Sequence, residues 1–136
     1  MDAYSYFEHD ADIGIIGRGH SVEEAFESAA KAVFAIVSET VPEDPEQEVV
    51  FEFDEEDVEY ALVRWLNFLI AYAQSDHLLL SCFELTREGK HWLGRAWGSP
   101  WHETMKRGVE VKGATLTMLS VAEKEGLWEA RCIVDV

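Results

Sequence analysis

Basic residues are scarce in this 136-residue chain. Eleven lysines and arginines stand against 27 aspartates and glutamates, which gives a formal net charge of −16 at pH 7. A surface field of that sign repels the phosphates of nucleic acid. We therefore expect little or no direct RNA binding. The charge itself indicates either a solvated surface that keeps the protein in solution, or a basic partner surface or bound cations.

The sequence also lacks long apolar runs and paired cysteine motifs. Its longest nearly uncharged stretch, 65–75, is too short to cross a bilayer, and the first residues lack the basic and then apolar layout of a signal peptide. Cys82 and Cys132 lie in apolar runs without CxxC spacing, which predicts two buried structural thiols. These absences favour a cytoplasmic protein without a membrane partner.

Motifs for nucleophilic or nucleotide chemistry are missing as well. The sequence has no GxSxG, no Walker loop and no GxGxxG after a predicted strand. Catalysis by this chain alone is poorly supported, so we expect a protein that is not an enzyme.

Hydrophobic periodicity divides the chain into two helices and six or seven strands. Ser21 and Glu24 form a capping box for the first helix, and Asp54 is predicted to cap a second helix whose first turn holds the acidic residues 55–57. The predicted strands are 4–8, 13–19, 49–53, 78–86, 92–97, 109–122 and 127–134. This pattern predicts a single α+β domain over residues 1–136, with mostly antiparallel sheets in a sandwich and two helices packed on one side.

Two aspartates near the N-terminus are the first candidate metal ligands. If the strand continues through them, a period of two puts Asp10 and Asp12 on one side, where both carboxylates can meet a hard cation. Alternatively, both are solvated turn residues and His9 is a core or hydrogen-bonded histidine. A competing enzyme hypothesis is a metal-dependent hydrolase that uses these three residues around an activated water, which requires a concave pocket.

The end of the sequence provides a second candidate site. Asp135 puts a side-chain carboxylate one residue from the α-carboxylate of Val136. If the last strand is paired in a sheet, these two groups can bind Ca²⁺, Mg²⁺ or Mn²⁺; otherwise they form an ordinary exposed end. Lys112 lies in an apolar β run and either faces a carboxylate or lies on the solvent side of a strand.

Five segments, taken in order, resemble the archease family over nearly the whole chain. They are Phe7-Glu8-His9-Asp10-Ala11-Asp12-Ile13-Gly14, Ser21-Val22-Glu23-Glu24-Ala25-Phe26-Glu27, Leu62-Val63-Arg64-Trp65-Leu66-Asn67, Val111-Lys112-Gly113-Ala114-Thr115 and Ile133-Val134-Asp135-Val136. The resemblance implies a cytosolic activator of the GTP- and Mn²⁺-dependent tRNA-splicing RNA ligase. It also implies that the protein promotes guanylylation of the ligase and its multiple turnover.

The same resemblance implies an acidic divalent-metal site, with Ca²⁺ the expected ion. Its ligands map onto Asp12, Asp135 and Val136, and Lys112 matches a lysine of the family's Val-Lys-Ala-x-Thr motif. Two positions depart from the family pattern, since Asp10 replaces a threonine and Gly113 an alanine. A general chaperone or binding module is the remaining alternative, and it predicts an exposed apolar patch with broad partner choice.

The net charge of −16 generates the first prediction. At physiological salt the purified protein should bind tRNA halves negligibly, because its field opposes phosphate contact. Electrophoretic mobility shift or fluorescence anisotropy titrations at several salt concentrations will measure this. Submicromolar affinity with a steep salt dependence contradicts the expectation.

Overall fold

Two antiparallel sheets and two helices make up the computed structural model, which describes residues 2–136. In chain order the elements are β1 (Tyr4–His9), β2 (Asp12–Gly19), α1 (Val22–Val37), β3 (Gln47–Asp54), α2 (Val58–Ser75), β4 (Leu78–Glu88), β5 (His91–Pro100), β6 (Gly113–Ala114), β7 (Ser120–Lys124) and β8 (Leu127–Asp135). The predicted α+β class is confirmed. Neither helix in this part of the chain is long and apolar enough to cross a membrane.

Strand β8 lies inside the larger sheet and has paired strands along both of its edges. That sheet has the order β1-β2-β8, and β6 and β7 both pair with the remaining edge of β8. The smaller sheet has the order β3-β5-β4. Both helices contact strands of both sheets, so the apolar core is shared by all these elements.

Helix α1 begins and ends on specific hydrogen bonds. The Ser21 hydroxyl accepts from the Glu24 amide at 3.1 Å, as the capping motif predicts. At the other end, the amides of Gly108 and Val109 donate to the carbonyls of Val37 and Ile36 at 2.8 and 3.0 Å. The loop before β6 therefore satisfies carbonyls that the end of the helix leaves without helical partners.

Helix α2 begins three residues later than its acidic start predicts. Its N-cap is Asp57, whose carboxylate accepts from the amides of Glu59 and Tyr60 at 2.8 and 3.2 Å. Asp54 is instead the last residue of β3, so its predicted capping role is wrong. Glu55 continues the contact with the small sheet, because its amide donates to the Lys90 carbonyl at 2.8 Å.

Two buried tryptophans connect the elements of the core. The Trp65 indole on α2 donates to the Phe26 carbonyl on α1 at 2.9 Å, and the Trp92 indole on β5 donates to the Glu55 carbonyl at 3.0 Å. The rings of Phe26 and Trp92 are stacked with centroids 5.5 Å apart. Each indole N–H thus has a partner despite complete burial, as buried polar groups require.

The predicted strand 109–122 is wrong. Only Gly113–Ala114 and Ser120–Lys124 are strands there, and between them the Leu119 amide donates to the Leu116 carbonyl at 3.4 Å to close a turn. Met118 adopts a positive φ of 53° in that turn. Residues 115–119 contain no Gly, Asn, Asp or Pro, which are common in turns, and this explains why the apolar pattern resembles one strand.

The two thiols differ in exposure. Cys132 is buried, and burial raises the pKa of its thiol to about 12, as expected for a structural cysteine. Cys82 is exposed, so the prediction that it is buried is wrong. An apolar run does not by itself show which face of a strand a residue lies on, and β4 also has a register shift between Leu80 and Cys82.

Strand β4 forms a free edge of the smaller sheet, and helix α1 covers part of that edge. The Leu85 amide points away from β5 and donates to the Glu27 carboxylate at 2.8 Å. Burial raises the pKa of Glu27 above its usual value. A carboxylate on an edge amide prevents that amide from pairing with another strand.

Gly17 marks the closest approach of β2 to α1. A methyl group there would overlap backbone atoms of Ala25 and Ala29, which cannot rotate away as a side chain can. By contrast, the atom nearest to a methyl group on Gly113 is the side-chain oxygen of Asn67, at 3.3 Å.

These contacts predict opposite outcomes for two substitutions of glycine by alanine. Gly17→Ala should reduce the free energy of unfolding by about 1–3 kcal/mol or more, because overpacking forces the helix and the strand apart. Gly113→Ala should be close to neutral, since the reduced entropy of the unfolded chain offsets a small shift of Asn67. Urea denaturation measures both, and equal losses contradict the packing argument.

Candidate metal-binding corner

The end of the chain is held on both sides by hydrogen-bonded strands. Val134 of β8 pairs with Ile13 of β2, while Asp135 pairs with Gly113 of β6. The Lys112 amide extends this second ladder by donating to the Asp135 carbonyl at 2.8 Å. The last strand is therefore paired, which is the condition under which the sequence predicts a site at the terminus.

Asp12 lies directly beside the final residue. Its carboxylate oxygen Oδ1 accepts from the Val136 amide at 3.4 Å. One step beyond the last β2–β8 pair, the register also places Asp12 opposite Asp135, and opposite residues in a sheet point to the same face. Asp12, Asp135 and Val136 thus meet where β2 begins and β8 ends, and we call these three residues the acidic corner.

The acidic corner offers oxygen ligands from three different groups. Asp135 is exposed, whereas Asp12 and Val136 are half-buried. Carboxylate oxygens suit hard divalent cations such as Ca²⁺, Mg²⁺ and Mn²⁺, so the chemistry of this donor set fits such an ion. Within residues 2–136, no group of three His, Cys, Asp or Glu side chains is arranged to hold a metal. The two aspartate side chains of the corner therefore do not form such a group by themselves.

Asp10 does not lie beside Asp12 on a strand. β1 ends at His9, and Asp10 occupies the turn before β2, exposed and with a positive φ of 50°. Aspartate tolerates this left-handed conformation better than most residues do. The alternation argument for Asp10 therefore fails because the strand stops, and the alternative of a solvated turn residue describes it better.

His9 is opposite Asp12 in the β1–β2 hairpin. Its Nδ1 atom is buried and has no hydrogen-bond partner in the part of the chain that the structure describes.

Two cavities, of about 390 and 420 Å³, lie between the C-terminal ends of the helices and between α1 and β4. Neither is lined by His9, Asp10 or Asp12, so neither is the concave pocket that a hydrolase at these residues needs.

Lys112 contributes to the corner through its main chain. Its side chain is exposed, and its ammonium forms no ion pair with the residues between 2 and 136. Of the two alternatives for Lys112, a side chain that faces solvent therefore agrees with the structure better than a side chain that faces a carboxylate.

Asn67 is a supporting residue whose role the sequence analysis did not identify. On α2, its Oδ1 accepts from the Ala114 amide at 2.8 Å and its Nδ2 donates to the Ala114 carbonyl at 3.2 Å. These two bonds hold β6 in place, and β6 in turn pairs with Asp135. The only available signal is an amide side chain between the apolar residues Leu66 and Phe68.

Asn67→Ala should therefore loosen β6 without touching a metal ligand. Leaving main-chain groups of Ala114 unpaired should cost about 1–3 kcal/mol of unfolding free energy. Hydrogen exchange at the Ala114 amide should accelerate in the variant. Gln74→Ala is the matched control, because the Gln74 side chain makes a single, longer bond of 3.4 Å to the Val111 carbonyl. If hydrogen exchange at the Ala114 amide is unchanged in Asn67→Ala, the side chain of Asn67 does not hold β6 in place.

Comparison with known proteins identifies similar sequences of full length. The model of the Archease protein family matches residues 4–136. The chain is 36% identical over 139 residues to protein archease of Sulfolobus acidocaldarius, with 100% of both chains covered. It is 32% identical over 140 residues to protein archease of Methanothermobacter thermautotrophicus, again covering 100% of both.

Two solved structures have similar folds. The solution structure of protein 1598 from Methanobacterium thermoautotrophicum gives a TM-score of 0.89 at 32% identity, with 100% of each chain covered. The crystal structure from Thermotoga maritima of an archease described as a possible chaperone gives a TM-score of 0.67 at 22% identity. That match covers 96% of this chain and 94% of the other, and at this identity it shows the fold alone.

Proposed function

The chain belongs to the archease family, and on that basis we propose that it is an accessory protein of the GTP-dependent tRNA-splicing RNA ligase. In this role it promotes guanylylation of the ligase and multiple turnover in the cytoplasm, and it is not itself an enzyme. The acidic corner is the observation that carries the proposal, because it brings two carboxylates and the chain terminus to one accessible edge.

We propose that Asp12, Asp135 and the α-carboxylate of Val136 hold one divalent cation, Ca²⁺ or alternatively Mg²⁺ or Mn²⁺. When bound, the cation supplies positive charge among three ligand groups that are all anionic. The Lys112 amide fixes the main chain of Asp135, and the Asp12 carboxylate fixes the amide of Val136. Asp10 adds a further negative charge in the adjoining turn.

Charge also favours a protein partner that binds RNA. An enzyme that holds tRNA needs a basic surface, and a chain with a net charge of −16 is attracted to such a surface while it is repelled by RNA. The description of the Thermotoga maritima archease as a possible chaperone agrees with action on another protein. A general chaperone, however, would act on many partners, so specificity for the ligase discriminates between these functions.

The alternative of a stand-alone hydrolase that uses Asp10 and Asp12 needs a concave pocket at these residues. The cavities of about 390 and 420 Å³ are lined by neither Asp10 nor Asp12, and Asp10 lies in an exposed turn. Turnover of phosphate esters by the purified protein alone would nevertheless establish that alternative.

The decisive experiment is RNA ligation by the cognate ligase at limiting GTP and metal, with and without this protein. Asp135→Ala removes one ligand group, and a short extension after Val136 replaces its α-carboxylate by a neutral amide. Each change should weaken cation binding by about 2 kcal/mol or more, roughly thirtyfold, and should abolish activation while the protein stays folded. Calorimetric titration with Ca²⁺ and Mn²⁺ measures the binding.

Glu46→Ala is the matched control, since Glu46 is exposed and lies far along the chain from the corner. It should bind the cation and activate the ligase as the wild type does. If Asp135→Ala and the extended protein also behave like the wild type, the metal site is misassigned. Equal ligation with and without the wild-type protein rejects the activator function itself.

A further inference from the structure

An uncharged segment of the surface adjoins the acidic corner. Residues 113–122 contain no charged side chain, although 28% of the chain is charged. Within this segment, the side chains of Leu116 and Met118 are 57% and 50% exposed. We call residues 116–119 the apolar turn. Single exposed apolar side chains are common, but two of them in one short uncharged segment make that segment a candidate for contact with another molecule.

The apolar turn is fixed to the sheet by several hydrogen bonds. The amide and hydroxyl of Thr115 both donate to the Ile133 carbonyl at 2.9 Å, and the Ile133 amide donates to the Thr117 carbonyl at 3.3 Å. The Thr117 amide also donates to the Thr115 hydroxyl at 3.2 Å. A turn held in this way presents its side chains in one arrangement, which lowers the entropic cost of binding.

Met118 occupies a backbone conformation that disfavours its side chain. Its φ of 53° falls at the third residue of the turn, where glycine or asparagine is the usual choice. Half of the Met118 surface is exposed, so its burial within the fold does not compensate for this strain. The combination of strain and exposure points to a function outside the folded chain.

The apolar turn and the acidic corner share one strand. Ile133, which binds both flanks of the turn, precedes Asp135 by two residues, a distance of about 7 Å along β8. A partner that contacts the exposed Asp135 carboxylate therefore reaches the turn as well.

We propose that Leu116 and Met118 form an apolar anchor that inserts into a pocket on the partner protein bordered by basic side chains. This proposal rests on the proposed function, which makes the partner the RNA ligase. Net charge favours a basic partner protein over RNA or a second copy of this chain. The turn has no cation with which to bind RNA, and a second copy of the chain would bring another −16 charge and a second acidic corner to the same place.

The test uses substitutions that remove the apolar surface and suit the backbone. Met118→Asn introduces a residue that tolerates positive φ, and Leu116→Ser shortens the second side chain and makes it polar. Both variants and the double variant should bind the ligase at least tenfold more weakly and activate it less. They should bind Ca²⁺ or Mn²⁺ like the wild type, and Met118→Asn should not lower the Tm, because it relieves strain.

Val50→Ser is the matched control, since Val50 is 46% exposed on the smaller sheet. It should leave binding to the ligase and activation unchanged. The proposal of an apolar anchor is rejected if the wild type activates the ligase and the Leu116 and Met118 variants activate it equally well. It is also overturned if sedimentation shows a dimer that Met118→Asn dissociates, because the occupant is then a second copy. If the wild type neither binds nor activates the ligase, the proposed function fails together with the anchor.

Discussion

Hydrogen bonding along both edges of β8 is the constraint on which the acidic corner depends. A chain end normally frays, because few contacts offset the conformational entropy of its last residues. Here β2 pairs with one edge of β8, and β6 pairs with the other as far as Asp135. The corner is therefore built on a sheet rather than on a free end, and its two aspartates come from residues 123 positions apart in sequence but opposite one another in the fold.

The helices connect this corner to the rest of the molecule. α1 lies so close to β2 that only glycine fits at position 17, and this contact fixes β2 relative to the core. α2 contacts β4 of the smaller sheet and also holds β6 through Asn67. Because the Trp65 indole of α2 also donates to the Phe26 carbonyl of α1, the two helices together position β2 and β6, one strand on each edge of β8. The apolar interior thus determines the geometry of a site that lies on the surface.

Much of this architecture follows from the sequence, and the failures have specific physical causes. Periodicity places both helices and most strands, since burial on one face imposes a regular pattern. It cannot choose among neighbouring aspartates as a helix cap, because Asp54 and Asp57 have the same chemistry and only tertiary contacts separate them. It also cannot detect a turn in which Met118 adopts a conformation typical of glycine. Asp12 and Asp135 are recognisable from their type and position, whereas the role of Asn67 depends on a contact 47 residues away.

The contact between Glu27 and the free edge of β4 has a consequence for the protein in concentrated solution. Exposed strand edges are the usual templates for intermolecular β-aggregation, and a carboxylate bonded to the Leu85 amide disfavours such growth. Because burial raises the pKa of Glu27, acidification neutralises this group at a higher pH than it would a fully solvated glutamate. The same acidification reduces the repulsion between molecules that the net charge provides. Colloidal stability therefore decreases at low pH for two reasons at once, and one of them acts at the edge of β4.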